Sequence, residues 1–461
     1  MRSVRAPRVA LVAVLVPMLA ACLPTRSGDS GALYASPSAH LTIGTTTAIG
    51  SLDPASGDPL LGLVAADLYQ TLLQLAPSGA VVPEAATCSS RDATAYECVL
   101  VPGQAFSNGD PVTAQDVVYS IRRARRLGSD VTGGGDPFAP MTKLVAEGNT
   151  VIFTLSRPDP GWLNVLASSR AAIVDRRTFA AAHLAPNSDL VGSGPYELSQ
   201  PVATDALLLV ANPHYGGGDH RNNATVTVKY TPSDKSLASD LAAGAIDIAV
   251  PSSSPSALSA LQTVPDVRTA QGAVNEIRYL GFDDGSMPGN GADHRQAIRE
   301  AVAHTIDRSA IVSTLYGDAA EPLPQEAASP DAVAAASDLD AAGVVGPVEM
   351  TLVYNQDHLV DSDLATAVQA QLDGTGLFKV TLRDVLWSTF QSGVASGKYG
   401  MFLFGGGASG MAGLDTDLSD ASPVIPLWQH REVLVASPGV SGLGGALAVP
   451  GNVRFWELGA E

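Results

Sequence analysis

Residues 113–126 carry the clearest hydrophobic period in the chain. Val117, Val118, Ile121 and Ala124 recur at helical spacing and predict a buried stripe. Thr113 suits an N-cap, Asp116 three residues on makes an aspartate version of the capping box, and Val112 and Val117 flank it at the staple positions. Arg122, Arg123, Arg125 and Arg126 crowd the other end, where the helix dipole favours cations. The arginines read as a solvated helix end, with an anion site as the less favoured alternative.

Elsewhere the period switches repeatedly between two and 3.6. Strands are predicted over residues 41–45, 226–228, 246–250, 278–282, 350–354, 379–382 and 399–404, the last entering Gly405-Gly406-Gly407. Residues 143–146 and 151–155 predict a hairpin around Gly148-Asn149. Helices are predicted over 61–76 (with Leu63, Tyr69, Leu72 and Leu73 apolar), 237–243 before Gly244, 293–305, 307–315 capped by Asp307, and 363–373. Strands alternating with helices make the class α/β. No repeat of fixed period is visible.

The first residues break this pattern. Arg2, Arg5 and Arg8 precede an almost unbroken apolar run over 9–21, and Leu19-Ala20-Ala21-Cys22 closes it. This reads as a bacterial lipoprotein signal over residues 1–21, with lipid carried on Cys22. The run is shorter than the roughly 20 apolar residues of a membrane span. Residues 22–40, rich in Ser, Gly, Pro and Thr, read as a flexible tether. The expected location is therefore the outer face of the cytoplasmic membrane.

The 461 residues carry a net charge of −19, and no basic run is present to track a phosphate backbone, so nucleic acid is not an expected partner. The length calls for two or three lobes. With Cys22 lipidated, Cys88 and Cys98 remain, on two strand-like pieces around a turn near residues 91–94. Outside the membrane a disulfide is the expected state of that pair. A metal site there lacks accompanying histidines.

Catalytic signatures are absent. There is no Gly-x-Ser-x-Gly elbow, no pair of histidines four apart, and no phosphate loop ending in Gly-Lys-Ser/Thr. Residues 405–410 satisfy Gly-x-Gly-x-x-Gly after a strand, but no convincing helix follows, so the glycines read as a close backbone approach. Asp415, Asp417 and Asp420 lack the glycine and terminal glutamate of a calcium loop. No metal, no cofactor and no enzymatic activity are expected.

Residues 96–120, Tyr-Glu-Cys-Val-Leu-Val-Pro-Gly-Gln-Ala-Phe-Ser-Asn-Gly-Asp-Pro-Val-Thr-Ala-Gln-Asp-Val-Val-Tyr-Ser, resemble the signature stretch of the peptide/nickel group of ABC-transporter solute-binding proteins. Further landmarks follow in the family's order: Leu52-Asp53-Pro54, Gly192-Ser193-Gly194-Pro195-Tyr196, Asn212-Pro213-His214-Tyr215, the stretch 241–247, His294-Arg295-Gln296-Ala297-Ile298 leading to Ile306-Asp307-Arg308, and Pro426-Leu427. The resemblance runs from about residue 41 to 458. It implies a two-lobed, type II periplasmic-binding-protein-like fold with an extra subdomain. One lobe would combine 41–56, 190–284 and 424–461, with 57–189 as its subdomain and 285–423 as the second lobe. Hinge crossovers would lie near Phe282-Asp283 and Pro423, and the second lobe reads as shortened before Pro423.

The function so implied is that of a lipid-anchored, monomeric receptor delivering a small solute, an oligopeptide first of all, to the permease of an ABC importer. The candidate ligand contacts are Asp53, Tyr196, Trp387, Gly406, Asp415 and Trp428. Trp387 and Trp428 serve equally well as packing. Rival readings are a binding module reduced to a sensor or envelope scaffold and, less favoured, an extracytoplasmic hydrolase.

Overall fold

A computed structural model describes residues 40–128, 136–218, 220–251, 255–317, 320–323, 330–356, 359–406, 424–448 and 453–460. Among them an 11-stranded mixed sheet dominates. From edge to edge it runs Phe378–Val385, Val348–Asn355, Met401–Gly406, Arg268–Phe282, Val424–Ala436, Ile248–Val250, His40–Thr45, Thr225–Tyr230, Ala206–Ala211 and Tyr196–Leu198, and Ala320–Pro322 pairs with Val424–Ala436.

Each end of this sheet contains parallel pairs, which require a crossover. At one end His40–Thr45 lies parallel to Thr225–Tyr230 and to Ile248–Val250. The crossover helix Asp234–Ala242 starts where the Ser233 hydroxyl accepts the Ser236 N–H, and it stops before Gly244, whose φ of +67° suits glycine. At the other end helix Leu359–Gly374 connects the parallel strands Val348–Asn355 and Phe378–Val385.

Three large apolar cores result. The first gathers Leu41, Ile43, Val226, Val228, Leu434 and Phe455 with Leu60, Val64 and Leu68 of helix Pro59–Leu68. The second gathers Leu280, Ile298, Val302, Leu352, Val368, Ile425 and Trp428. The third belongs to the subdomain: a four-stranded antiparallel sheet in the order Ala86–Asp92, Ala95–Leu100, Thr150–Leu155, Met141–Glu147, covered by helix Ala114–Gly128. Cys88 stands opposite Cys98 in this sheet, with their sulfurs 1.98 Å apart. The capping box forms as the spacing predicts. The Thr113 N–H donates to Asp116 Oδ2 at 2.9 Å, and the Asp116 N–H donates to Thr113 Oγ1 at 3.3 Å.

Several expectations shift. The helix expected over 61–76 is Pro59–Leu68, followed by strand Leu73–Leu75. Leu68 O accepts the Gly194 N–H at 3.0 Å, and a Cβ on Gly194 would lie 2.4 Å from Asp67 O, so the glycine loop packs directly on the helix end. Leu60 to Tyr69 enter the first core while Leu72 and Leu73 enter the third. Among the described residues, the first side chains to enter the third core are thus Leu72 and Leu73. The strand expected over 399–404 is Met401–Gly406, and the one expected over 278–282 is the 15-residue Arg268–Phe282. Leu280, Phe282, Ile425, Leu427 and Trp428, beside the expected crossovers at 282–283 and 423, all pack in the second core.

Candidate ligand-binding site

Strands Arg268–Phe282 and Val424–Ala436 join the first and second cores. They pair antiparallel from Gly281 opposite Val424 to Arg268 opposite Ala436, with register shifts between Gln271 and Val274, Val274 and Glu276, and Arg278 and Tyr279. Ile248–Val250 flanks Val424–Ala436 at residues 435–436, and Met401–Gly406 flanks Arg268–Phe282 from Ile277 on, on opposite outer sides of the pair. The ladder between the two strands is least regular from Gln271 to Tyr279, between these two flanking contacts. Such breaks bend and twist a strand locally.

Polar side chains gather around this stretch. Glu321 accepts from Gln429 Nε2 at 2.7 Å and from Arg431 Nε at 3.1 Å, and these hydrogen bonds hold its carboxyl below the usual glutamate range. Arg431 also donates to Gly272 O at 3.3 Å. Arg278 lies opposite Gly405 on one side and Trp428 on the other, and its guanidinium meets Asp361 at 3.1 Å in a buried ion pair. Tyr279 stacks on Phe404 at 5.2 Å.

The sequence candidates separate into two groups. Gly406 closes strand Met401–Gly406 opposite Ile277, within this stretch. Trp387 opens helix Trp387–Ala395, but its side chain lies outside the described residues, as do Asp415 and Cys22. The other three are buried, each with partners of its own. Asp53 is fully buried, with its oxygens 2.7 and 2.6 Å from Arg123 Nη1 and Nη2, and it also accepts the N–H groups of Ala55 and Ala185. Tyr196 is buried in the first core; its hydroxyl donates to Asn223 Oδ1 at 2.6 Å, and burial pushes its pKa up. Trp428 packs on Tyr316 at 4.8 Å in the second core. Residue type alone does not reveal this burial.

The sequence reading passes over Arg454 and Trp456. With Gln74, Thr71 and Glu84 they line a small cavity of about 30 Å³ between helix Pro59–Leu68 and the C-terminal segment. Arg454 donates to Gln74 Oε1 at 3.1 Å and to Leu75 O at 2.7 Å, and lies 5.7 Å from the Trp456 ring. The run Val453-Arg454-Phe455-Trp456 was the available signal. Among the described residues no group of three or more potential metal ligands exists, and no helix is long and apolar enough to cross a membrane.

Asp67 lies beside this C-terminal segment, fully buried. Burial pushes its carboxyl well above the usual aspartate range, against a 3.0 Å hydrogen bond from the Phe455 N–H and the charge of Arg454. The folded state therefore keeps the proton that the unfolded chain releases in the ordinary range. The resulting contribution to stability is complete at acid pH and is lost as pH rises toward the folded pKa. Asp67→Asn preserves the acceptor for Phe455 and removes the ionisation. Its stability relative to the parent should rise between about pH 4 and pH 8 in urea titrations. Parallel curves would mean that burial does not perturb Asp67.

Residues 80–419 match the model of the bacterial extracellular solute-binding proteins, family 5 Middle. The probable D,D-dipeptide-binding periplasmic protein DdpA of Escherichia coli (strain K12) is 29% identical over 329 residues, covering 68% of this chain and 62% of that protein, so the matched region spans less than two thirds of DdpA. The periplasmic murein peptide-binding protein MppA of the same organism is 26% identical over 388 residues, 74% of this chain and 70% of MppA. The fold is shared with DppA from Helicobacter pylori in complex with the peptide STSA (TM-score 0.72, 18% identity, 92% of this chain and 99% of that one). It is shared too with NikA from Brucella suis in complex with Fe(III)-EDTA (TM-score 0.76, 19% identity, 92% and 100%). With its family match spanning most of the sequence and its mixed sheet arranged as in these binding proteins, the chain belongs to the bacterial extracellular solute-binding proteins of family 5.

Proposed function

We propose that this chain is the lipid-anchored receptor of an ABC importer and that its cargo is a short peptide. The match over 80–419 carries the receptor reading. Peptide cargo is supported by the names of relatives: a probable D,D-dipeptide-binding protein, a murein peptide-binding protein, and putative ABC transporter peptide-binding proteins of Brucella.

The two long strands supply a physical route to closure. They are the elements shared by the first and second cores, and their irregular stretch around 271–278 is where a hinge costs least ladder bonding. The candidate ligand contacts in this reading are Gly406, Trp387 and Asp415. The glycines let a peptide backbone approach closely, and Asp415 offers a carboxylate to an amino terminus. Cys22 carries the lipid, residues 1–21 are its signal, and the Cys88–Cys98 bond staples the subdomain hairpin. The receptor works as a monomer beside its permease.

Native mass spectrometry of gently purified protein tests this reading. A co-purified mass in the range of a short peptide is the expected result. Empty protein that also shows no thermal shift with peptides, sugars or nickel chelates would move the assignment to an envelope scaffold.

A further inference from the structure

The structure sorts the four arginines at the end of helix Ala114–Gly128 into two kinds. Arg123 turns inward to Asp53, and Arg125 Nε meets Asp136 Oδ2 at 2.9 Å. Arg122 and Arg126, one turn apart, share the outer face. Their hydrogen bonds go to carbonyls, Arg122 Nη2 to Leu144 O at 3.0 Å and Arg126 Nη1 to Ala181 O at 2.9 Å. Among the described residues no carboxylate neutralises either one. Arg176 joins them from a separate segment, with its Nε 3.2 Å from Asp116 Oδ1 and nearly half its side chain exposed.

Arg122, Arg126 and Arg176 line a cavity of about 380 Å³ together with Arg123, Val118, Tyr119 and Ala146, within the size range of small-molecule sites. No carboxylate lines it; Asp116 lies beneath, almost fully buried and bound to Thr113 and Arg176. The rest of the chain is strongly acidic, so the groove is a local reversal of the overall field. A solvated helix end needs neither the apolar side chains in the lining nor the third arginine from another segment.

We propose that this groove on the subdomain is a second binding site, for a phosphate-bearing amphiphile. Its oxyanion sits between Arg122, Arg126 and Arg176, where guanidinium forks match phosphate oxygens, and its apolar portion lies on Val118 and Tyr119. Free phosphate esters and phospholipid headgroups share this chemistry.

The test uses the full chain with Cys22→Ser, so that no lipid anchor contributes. Phenyl phosphate and inorganic phosphate are titrated at low ionic strength by calorimetry. Phenyl phosphate should bind saturably and about tenfold more tightly than inorganic phosphate, because its ring buries against Val118 and Tyr119. The Arg122→Gln/Arg126→Gln variant should weaken it about tenfold or more while its Tm stays unchanged, since both side chains are exposed. Arg176→Gln, on the other segment, should weaken it too. Co-sedimentation with phosphatidylglycerol-containing vesicles, but not with pure phosphatidylcholine, identifies the headgroup as the source if the double variant abolishes it. Binding of phenyl phosphate without such sedimentation identifies a free ester. Absence of both, or binding that is equal in the variants, overturns the proposal.

Discussion

Arg123→Met is expected to destabilise the protein by about 3–5 kcal/mol, the loss typical of leaving one partner of a buried ion pair alone. Arg123 and Asp53 are 2% and 0% exposed, so water cannot replace the missing partner. The variant also strips donors from Ala180 O and His183 O, which accept from Arg123 at 2.7 Å each. The pair joins the helix of the subdomain core to the Asp-Pro turn beside the first core. Its loss should therefore separate subdomain unfolding from that of the main body, giving two urea transitions by circular dichroism and tryptophan fluorescence. Asp53→Asn/Arg123→Met removes both charges and should recover part of the loss. A single-variant loss below about 1 kcal/mol would place the pair among weak surface bridges.

Asp361→Asn is expected to cost about 3 kcal/mol, because it removes the carboxylate from a buried ion pair while the Arg278 guanidinium, between strands Met401–Gly406 and Val424–Ala436, stays charged. Arg278 and Asp361 side chains are 6% and 2% exposed. Asp361 also stands in the first turn of helix Leu359–Gly374, where its charge meets the helix dipole favourably. The Asp53 pair joins the first core to the subdomain helix, whereas the Asp361 pair ties strand Arg268–Phe282 to helix Leu359–Gly374. Losses in the combined variant should add within about 0.5 kcal/mol, as for independent sites. A larger coupling would mean that the two cores unfold as one block.

Much of this architecture is legible in the sequence because it is local. Thr113 with Asp116, Asp307 before its helix, Gly244 after its own, and the facing cysteines each act within a few residues. The helix end at Leu68 is different: it is set by a glycine loop more than a hundred residues away. The long strands escape for a similar reason. Their alternation is broken by register shifts, and Val424–Ala436 is buried along most of its length, so no simple period marks it. At the candidate site the glycine run is visible as a pattern, whereas the burial of Asp53, Tyr196 and Trp428 depends on distant partners: Arg123, Asn223 and Tyr316. Arg454 is held by Gln74 and Leu75, far from it along the chain, and Trp456 lines the same small cavity.

Calorimetric titration of the purified full chain, carrying Cys22→Ser, with a panel of di- to pentapeptides that includes D-Ala-D-Ala tests the central claim most directly. Saturable one-to-one binding of at least one short peptide, with the negative heat-capacity change of a closing apolar cleft, is the predicted result. Saturable binding of nickel chelates or sugars with silence across every peptide would contradict it.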